Sequence, residues 1–117
     1  MVLCVVDDLM FSVKISSAAK AVSAPVSFER APDAVLGRIR DERPSLVIFD
    51  LNSTRLLPIE TVAAIKRDPA LRATRTLGYV SHVQADVIAA ARAAGCDEVL
   101  ARSAFSERLG AILAGAS

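Results

Sequence analysis

The chain has 117 residues, 53% of them hydrophobic, and a formal net charge of +1 from 14 basic and 13 acidic side chains. This length and composition predict one compact domain over residues 1–117 with a buried core. The near-neutral charge argues against nucleic acid or a membrane surface as a partner. No apolar stretch approaches the ~20 residues that span a bilayer. An apolar strand pattern starts almost at once, which leaves no room for a signal peptide.

Short apolar segments alternate with segments of helical periodicity five times along the chain. In chain order, strands are predicted at 2–6, 26–29, 45–50, 76–80 and 99–101, and the helices that follow them at 9–22, 32–42, 58–68, 84–94 and 105–113. Pro32 and Pro58 stand where a first helical residue is tolerated, and Gly95 suits a left-handed helix end. Two of the strand segments, 2–6 and 45–50, are apolar without alternation, which indicates strands buried on both faces of a parallel sheet.

Strands that alternate with helices of this length imply parallel strands joined by right-handed crossovers. Five such units predict an α/β fold of the flavodoxin-like, doubly wound type, with a five-stranded parallel sheet in the order 2-1-3-4-5. A (βα)₈ barrel would need about twice this chain length.

Three acidic residues fall at the predicted ends of buried strands. Asp7 and Asp8 follow the first strand, and Asp50 ends the third. Ligands of open α/β sheets bind outside the carboxyl ends of the strands, so these carboxylates are expected to converge there. Because converging carboxylates repel one another unless a cation or a proton intervenes, the pattern favours a Mg²⁺ site.

The cysteines indicate the compartment. Cys4 and Cys96 form no CxxC motif, and Cys4 lies within the first apolar run. They are interpreted as reduced, packed thiols, and the expected location of the protein is the cytoplasm.

Four positions in register resemble one family over essentially the whole chain. Val5-Val6-Asp7-Asp8, Asp50 ending the third strand, Ser81 ending the fourth and Arg102 ending the fifth are similar to the receiver domain of two-component response regulators. The turn at 95–98 also resembles that family's turn before the fifth strand.

The resemblance implies a phosphorylation site at the acidic edge. Asp50 would be the phosphoacceptor, and Mg²⁺ would bind to Asp8, Asp50, the backbone carbonyl of Asn52 and, through water, Asp7. Ser81 would hydrogen-bond a phosphoryl oxygen and act in the switch, and the cation of Arg102 would neutralise another oxygen. A carboxylate is a weak nucleophile toward a dianionic phosphoryl donor, so the site must neutralise charge and align the attack.

Each role has a structural alternative. Asp8 could simply cap the first helix, and Ser81 with Gln84 matches a capping box for the fourth. Asp50 could pair with Arg102 rather than receive a phosphoryl group.

Several residues depart from the family pattern. Arg102 replaces the usual lysine, and Ser103 replaces the proline that follows it, so the cis peptide is lost and the last loop can take another path. Val99 replaces the switch aromatic, and the segment 53–58 lacks the usual Met-Pro and glycine. His82 stands where a small residue is usual; gating the site, contacting phosphate and lying over the surface all remain open.

Two functional classes follow. In the first, the chain is a stand-alone receiver, a signalling domain rather than an enzyme. A histidine kinase or a small phosphodonor would phosphorylate it, and it would then act on a downstream protein partner or relay the phosphoryl group. Homodimerisation would use the face formed by the fourth helix, fifth strand and last helix. In the second, it is a pseudo-receiver that binds proteins without phosphorylation. An unrelated flavodoxin-like enzyme ranks below both, and a nucleotide-binding variant lacks a glycine-rich loop after the first strand.

Overall fold

The computed structural model describes residues 1–81 and 84–116 as a parallel sheet between two layers of helices. The strands are β1 (Val2–Val5), β2 (Val26–Phe28), β3 (Leu46–Asp50), β4 (Arg75–Val80) and β5 (Glu98–Ala101), in the sheet order β2-β1-β3-β4-β5. The helices are α1 (Leu9–Ala21), α2 (Val35–Glu42), α3 (Pro58–Arg67), α4 (Ala85–Ala93) and α5 (Arg102–Ala116). The predicted flavodoxin-like fold and strand order are confirmed.

The two faces of the sheet carry separate apolar clusters. On one face, Phe11 and Ile15 of α1 meet Phe105 and Leu109 of α5. On the other face, α2, α3 and α4 pack through a second set of buried side chains that includes Val35, Ile39, Val62, Ile65 and Ala91. Strand β1, which lies between β2 and β3, is buried along its whole length, as the unalternating apolar pattern predicted.

Turn chemistry sets several helix ends. Pro58 begins α3 as predicted, and Gly95 follows α4 with a φ of 101°. A Cβ at Gly95 would lie 2.8 Å from Cγ of Lys66, so both the backbone conformation and the space require glycine. Pro32 begins a 3₁₀ turn, Pro32–Ala34, and the α-helix starts only at Val35. The predicted helix at 32–42 is therefore divided into two segments.

The last helix begins earlier than the sequence predicted. Helix α5 starts at Arg102, directly after β5, whereas the expected helix covered 105–113. Ser103 stands where the related pattern has proline, and because a proline disfavours helical backbone at the residue before it, its absence allows the helix to begin at Arg102. No cis peptide bond occurs among the described residues. Arg102 is thus the first residue of a helix and not the end of a strand.

The two cysteines are free and buried, as expected for packed thiols. Burial raises the pKa of the Cys4 thiol to about 12. Among the described residues, none of the helices combines the length and the hydropathy needed to cross a bilayer.

Candidate functional site

The three predicted acids lie at the carboxyl edge of the sheet, which is the edge where the parallel strands end. Strands β1 and β3 are neighbours with Val5 opposite Phe49, so the residues after Val5 lie beside Asp50. In the described part of the chain, no three side chains of Asp, Glu, His or Cys are grouped so as to hold a metal by themselves. The ligand set predicted for Mg²⁺ has two direct carboxylates and a backbone carbonyl, and so does not require such a group.

Asp8 caps helix α1. Its Oδ1 accepts a hydrogen bond of 3.2 Å from the backbone N–H of Phe11, and its backbone carbonyl accepts one of 2.9 Å from the Ser12 hydroxyl. The capping alternative is therefore confirmed. The cap uses one carboxylate oxygen, while the other lies 3.9 Å from a guanidinium nitrogen of Arg102. The Asp8 side chain is 42% exposed and this pairing is weak.

Asp7 is held by an arginine that the sequence analysis did not single out. Arg55 lies in the 3₁₀ turn Thr54–Leu56 after β3, and its Nε and Nη2 donate to the two carboxylate oxygens of Asp7, each at 2.9 Å. Arg55 Nη2 also donates to the carbonyl of Arg30 at 2.9 Å. Hydrogen bonds from Arg55 hold the pKa of Asp7 below its usual value, and the charges of Arg55 and Arg30 act in the same direction.

Asp50 is half-buried and makes no ion pair with any described residue. Its Oδ1 accepts a 3.1 Å hydrogen bond from the backbone N–H of Asn52. Burial raises the pKa of Asp50, and the charges of Asp8 and Asp7 raise it further, against the lowering effects of the Asn52 N–H and of Arg102. The alternative that Asp50 pairs directly with Arg102 is wrong: the ion pair of Arg102 is with Asp8.

Ser81 is tied to the loop beyond β3. Its backbone N–H and its hydroxyl both donate to Oδ1 of Asn52, at 2.6 and 3.0 Å. The Asn52 amide nitrogen in turn donates to Oε1 of Gln84 at 3.2 Å. Helix α4 begins at Ala85 with Gln84 as its N-cap residue, and the cap involves no side-chain hydrogen bond. The capping-box alternative for Ser81 is therefore wrong.

Arg102 lies over an aromatic cluster. Its guanidinium carbon is 5.7 Å from the ring centroid of Phe11. Behind that ring, Tyr79 and Phe105 stack with centroids 4.9 Å apart. The Tyr79 hydroxyl is buried without a hydrogen-bond partner among the described residues, and burial followed by the charge of Asp50 raises its pKa. Tyr79 is the register partner of Asp50 in the neighbouring strand, so this apolar cluster adjoins the half-buried Asp50.

A groove of about 510 Å³ opens beside Ser81 and Arg102. Its lining also contains the ammonium group of Lys14 and the hydroxyls of Ser103 and Ser106. These are hydrogen-bond donors and cations, the groups that bind phosphoryl oxygens. Lys14 was missed because its place on helix α1 gave no sequence signal for this edge.

Two remaining predictions concern the switch region. His82 lies outside the described residues. Val99 in β5 is half-buried against the apolar cluster on the face of α2, α3 and α4, so an aliphatic side chain occupies the predicted switch position.

The comparisons with known proteins identify the fold. No family model and no curated protein matches the chain. Among solved structures, the response regulator from Hahella chejuensis superposes with a TM-score of 0.85 at 21% identity, covering 96% of this chain and 90% of that one. The phosphorylated cyanobacterial phytochrome response regulator RcpA gives a TM-score of 0.81 at 24% identity, over 97% and 88%. The Mn(2+)-bound form of response regulator Rcp1 gives 0.78 at 20% identity, over 97% and 88%. The chain has the fold of response-regulator receiver domains over nearly its whole length.

Proposed function

We propose that this chain is a receiver domain of two-component signal transduction, spanning residues 1–117, in which Asp50 accepts a phosphoryl group. The observation that carries the proposal is the state of Asp50. It ends β3 at the carboxyl edge, it is half-buried, and it alone of the three acids lacks an ion pair with a described residue. A carboxylate oxygen of Asp50 attacks phosphorus, and the bond to the donor's leaving group breaks as that group departs with the electron pair.

A divalent cation fits the same edge. Burial is the main cause that raises the pKa of Asp50, and the charges of Asp8 and Asp7 add to it; a bound cation would offset both effects by stabilising the carboxylate. The donors are all oxygens, as Mg²⁺ prefers: Asp8 and Asp50 directly, the carbonyl of Asn52, and Asp7 through water. Bound Mg²⁺ would supply charge neutralisation between acceptor and donor. The Mn(2+)-bound form of Rcp1 supports a divalent cation in this fold.

The phosphoryl group would be held by Ser81 and Arg102. The Ser81 hydroxyl now donates to Asn52, so binding a phosphoryl oxygen requires it to exchange that acceptor. Arg102 lies within electrostatic range of Asp50 without pairing with it, and its charge is available to an incoming anion. The crystallised phosphorylated form of RcpA supports phosphorylation in this fold.

The partners follow from this role. The phosphoryl donor is a histidine kinase or a small phosphodonor, and the phosphorylated form binds a downstream protein. We assign partner binding and homodimerisation to the face formed by α4, β5 and α5. The free, buried thiols of Cys4 and Cys96 support a reducing, cytoplasmic location.

One observation favours the second candidate, a pseudo-receiver that binds proteins without phosphorylation. Arg55 clasps Asp7 with two hydrogen bonds and so supplies part of the positive charge that a cation would bring. In this candidate, the Arg55–Asp7 pair closes the site permanently, and neither Mg²⁺ nor a phosphoryl group binds.

Phosphorylation by radiolabelled acetyl phosphate separates the two candidates. The native chain is expected to take up an acid- and base-labile label in the presence of Mg²⁺. Asp50→Asn is expected to remove the label, whereas Asp33→Asn, a matched change at an exposed aspartate in the turn before α2, retains it. Absence of label together with absence of Mg²⁺ binding in a titration would refute the receiver and favour the pseudo-receiver.

A further inference from the structure

A second groove lies at the amino edge of the sheet, where the strands begin. It has a volume of about 530 Å³ and is formed by the segment between α2 and β3 and the segment between α3 and β4. Leu46 and Arg75, the first residues of β3 and β4, are partners in the sheet register, so the groove spans the start of both strands. It is therefore at the opposite edge from Asp50 and Ser81.

Three arginines line this groove, which we name the arginine groove: Arg40 from α2, Arg43 at the end of α2, and Arg75 at the start of β4. No acidic side chain is among its lining residues. Arg40 forms an ion pair with Asp68, in which its Nη2 lies 3.3 Å from Oδ2 of Asp68. The guanidinium groups of Arg43 and Arg75 make no hydrogen bond or ion pair with any residue that the structure describes.

The charge of the arginine groove is a local feature. The whole chain has a net charge of only +1, and three of its acids are gathered at the opposite edge. Three arginines around one groove, with Asp68 as their one ion-pair partner among the described residues, create a local positive potential that a nearly neutral composition conceals.

The floor of the arginine groove is apolar. Ile39 and Leu71 are 1% and 5% exposed, and Pro44 is buried beside them. The hydroxyls of Ser45 and Thr74 complete the lining. Cations and hydroxyls around an aliphatic floor match a ligand that has both an anionic group and an apolar body, in a cleft of ordinary ligand size.

Arg43 lies at a helix end whose backbone conformation favours glycine, a conformation shared by Ser23 and Leu57. Arg43 ends α2 in the left-handed conformation, with φ at 45° and ψ at 62°. Glycine or asparagine is favoured at such a position, because a larger L-residue is strained there. The chain instead has a long cation at this place, beside two others.

We propose that the arginine groove binds a small organic phosphate with an apolar body, of the size and chemistry of a nucleoside diphosphate. A guanidinium group can bind two phosphate oxygens at once, and the ring of the ligand packs against the exposed methyl groups of Ala70 and Ala73, which line the groove together with the buried Ile39 and Leu71. The missing glycine-rich loop does not bear on this site, because side chains rather than backbone N–H groups supply the donors. The inference is independent of phosphorylation at Asp50.

The test is a titration of the full chain with ADP, followed by amide NMR. Saturable shifts are expected for residues 39–43 and 70–75. Adenosine, which lacks the phosphates, and pyrophosphate, which lacks the apolar body, are each expected to bind more weakly than ADP. Arg43→Gln and Arg75→Gln are each expected to weaken ADP binding about tenfold, since each removes charge-assisted hydrogen bonds.

Lys20→Gln is the matched control, because it removes one positive charge from an exposed position on α1 outside the groove. It is expected to leave ADP binding unchanged. Three results would overturn the proposal: no saturable shift with ADP, GDP or UDP; equal weakening in Lys20→Gln, which would indicate general attraction to a cationic surface; or pyrophosphate binding as tightly as ADP, which would exclude a role for the apolar floor.

Discussion

Gly78 fixes the position of the residue that follows Asp50. It lies in β4, opposite Phe49 in the register with β3. A Cβ at this position would lie 2.5 Å from Cδ1 and 2.7 Å from Cγ of Leu51, whose side chain is only 3% exposed. Leu51 is itself held by a 3.0 Å hydrogen bond from its backbone N–H to the carbonyl of Tyr79. The substitution Gly78→Ala therefore forces a buried side chain and its backbone against the strand.

The expected cost follows from this contact. Inserting a methyl group into a packed core costs about 1–3 kcal/mol, and the contact at Cγ places Gly78→Ala in the upper part of that range, because rotating only the end of the Leu51 side chain does not relieve it. Gly37→Ala is the control, since a Cβ there meets nothing within 4 Å in helix α2. It is expected to stabilise the chain by roughly 0.5–1 kcal/mol, through helix propensity.

Urea denaturation of the native chain, Gly78→Ala and Gly37→Ala measures both changes in the free energy of unfolding. The double variant Gly78→Ala/Leu51→Ala adds a coupling test: it should cost less than the sum of the two single changes, because Leu51→Ala opens the space that the methyl group needs. A neutral or stabilising Gly78→Ala, or strictly additive costs, would show that β4 and Leu51 are not packed as described.

Two further predictions concern the charges of the site. Arg55→Gln should raise the pKa of Asp7 toward its usual value and increase Mg²⁺ affinity, because the hydrogen bonds that hold Asp7 are lost. Carboxyl-carbon NMR measures the pKa of Asp7, with Lys20→Gln as the control. An unchanged pKa would refute the pairing of Arg55 with Asp7. For Asp50, the raised pKa means that the folded state binds a proton more tightly than the unfolded chain, so the free energy of unfolding falls as pH rises from the ordinary carboxyl range through the folded-state value. Asp50→Asn should therefore be more stable than the native chain at neutral pH and equally stable in strong acid. The control Asp33→Asn should show no gain in stability at neutral pH. A destabilised Asp50→Asn at neutral pH would contradict the raised pKa of Asp50.

The sequence was sufficient for the fold because the signals that decide it are local. Unalternating apolar runs predicted buried parallel strands, and proline and glycine marked most helix ends. The start of α5 was misplaced because helical periodicity becomes visible only at Phe105, while Arg102 and Ser103 carry no start signal of their own.

The site was less predictable because its pairings join residues that are far apart in the chain. The Arg55–Asp7 pair spans 48 positions, and the hydrogen bonds from Ser81 to Asn52 span 29. The acids could be placed at one edge from strand topology alone. The cation that each acid meets depends on loop conformation, and so the sequence suggested Arg102 for Asp50 where the structure has Arg102 near Asp8.

The most direct test of the central claim is to locate the phosphoryl group. Borohydride reduces an aspartyl phosphate to homoserine, which peptide mass spectrometry then places in the sequence. After incubation with acetyl phosphate, the account predicts homoserine at position 50 and at no other aspartate, dependent on Mg²⁺. Conversion at a different residue, or none at position 50 when Mg²⁺ is present, would contradict it.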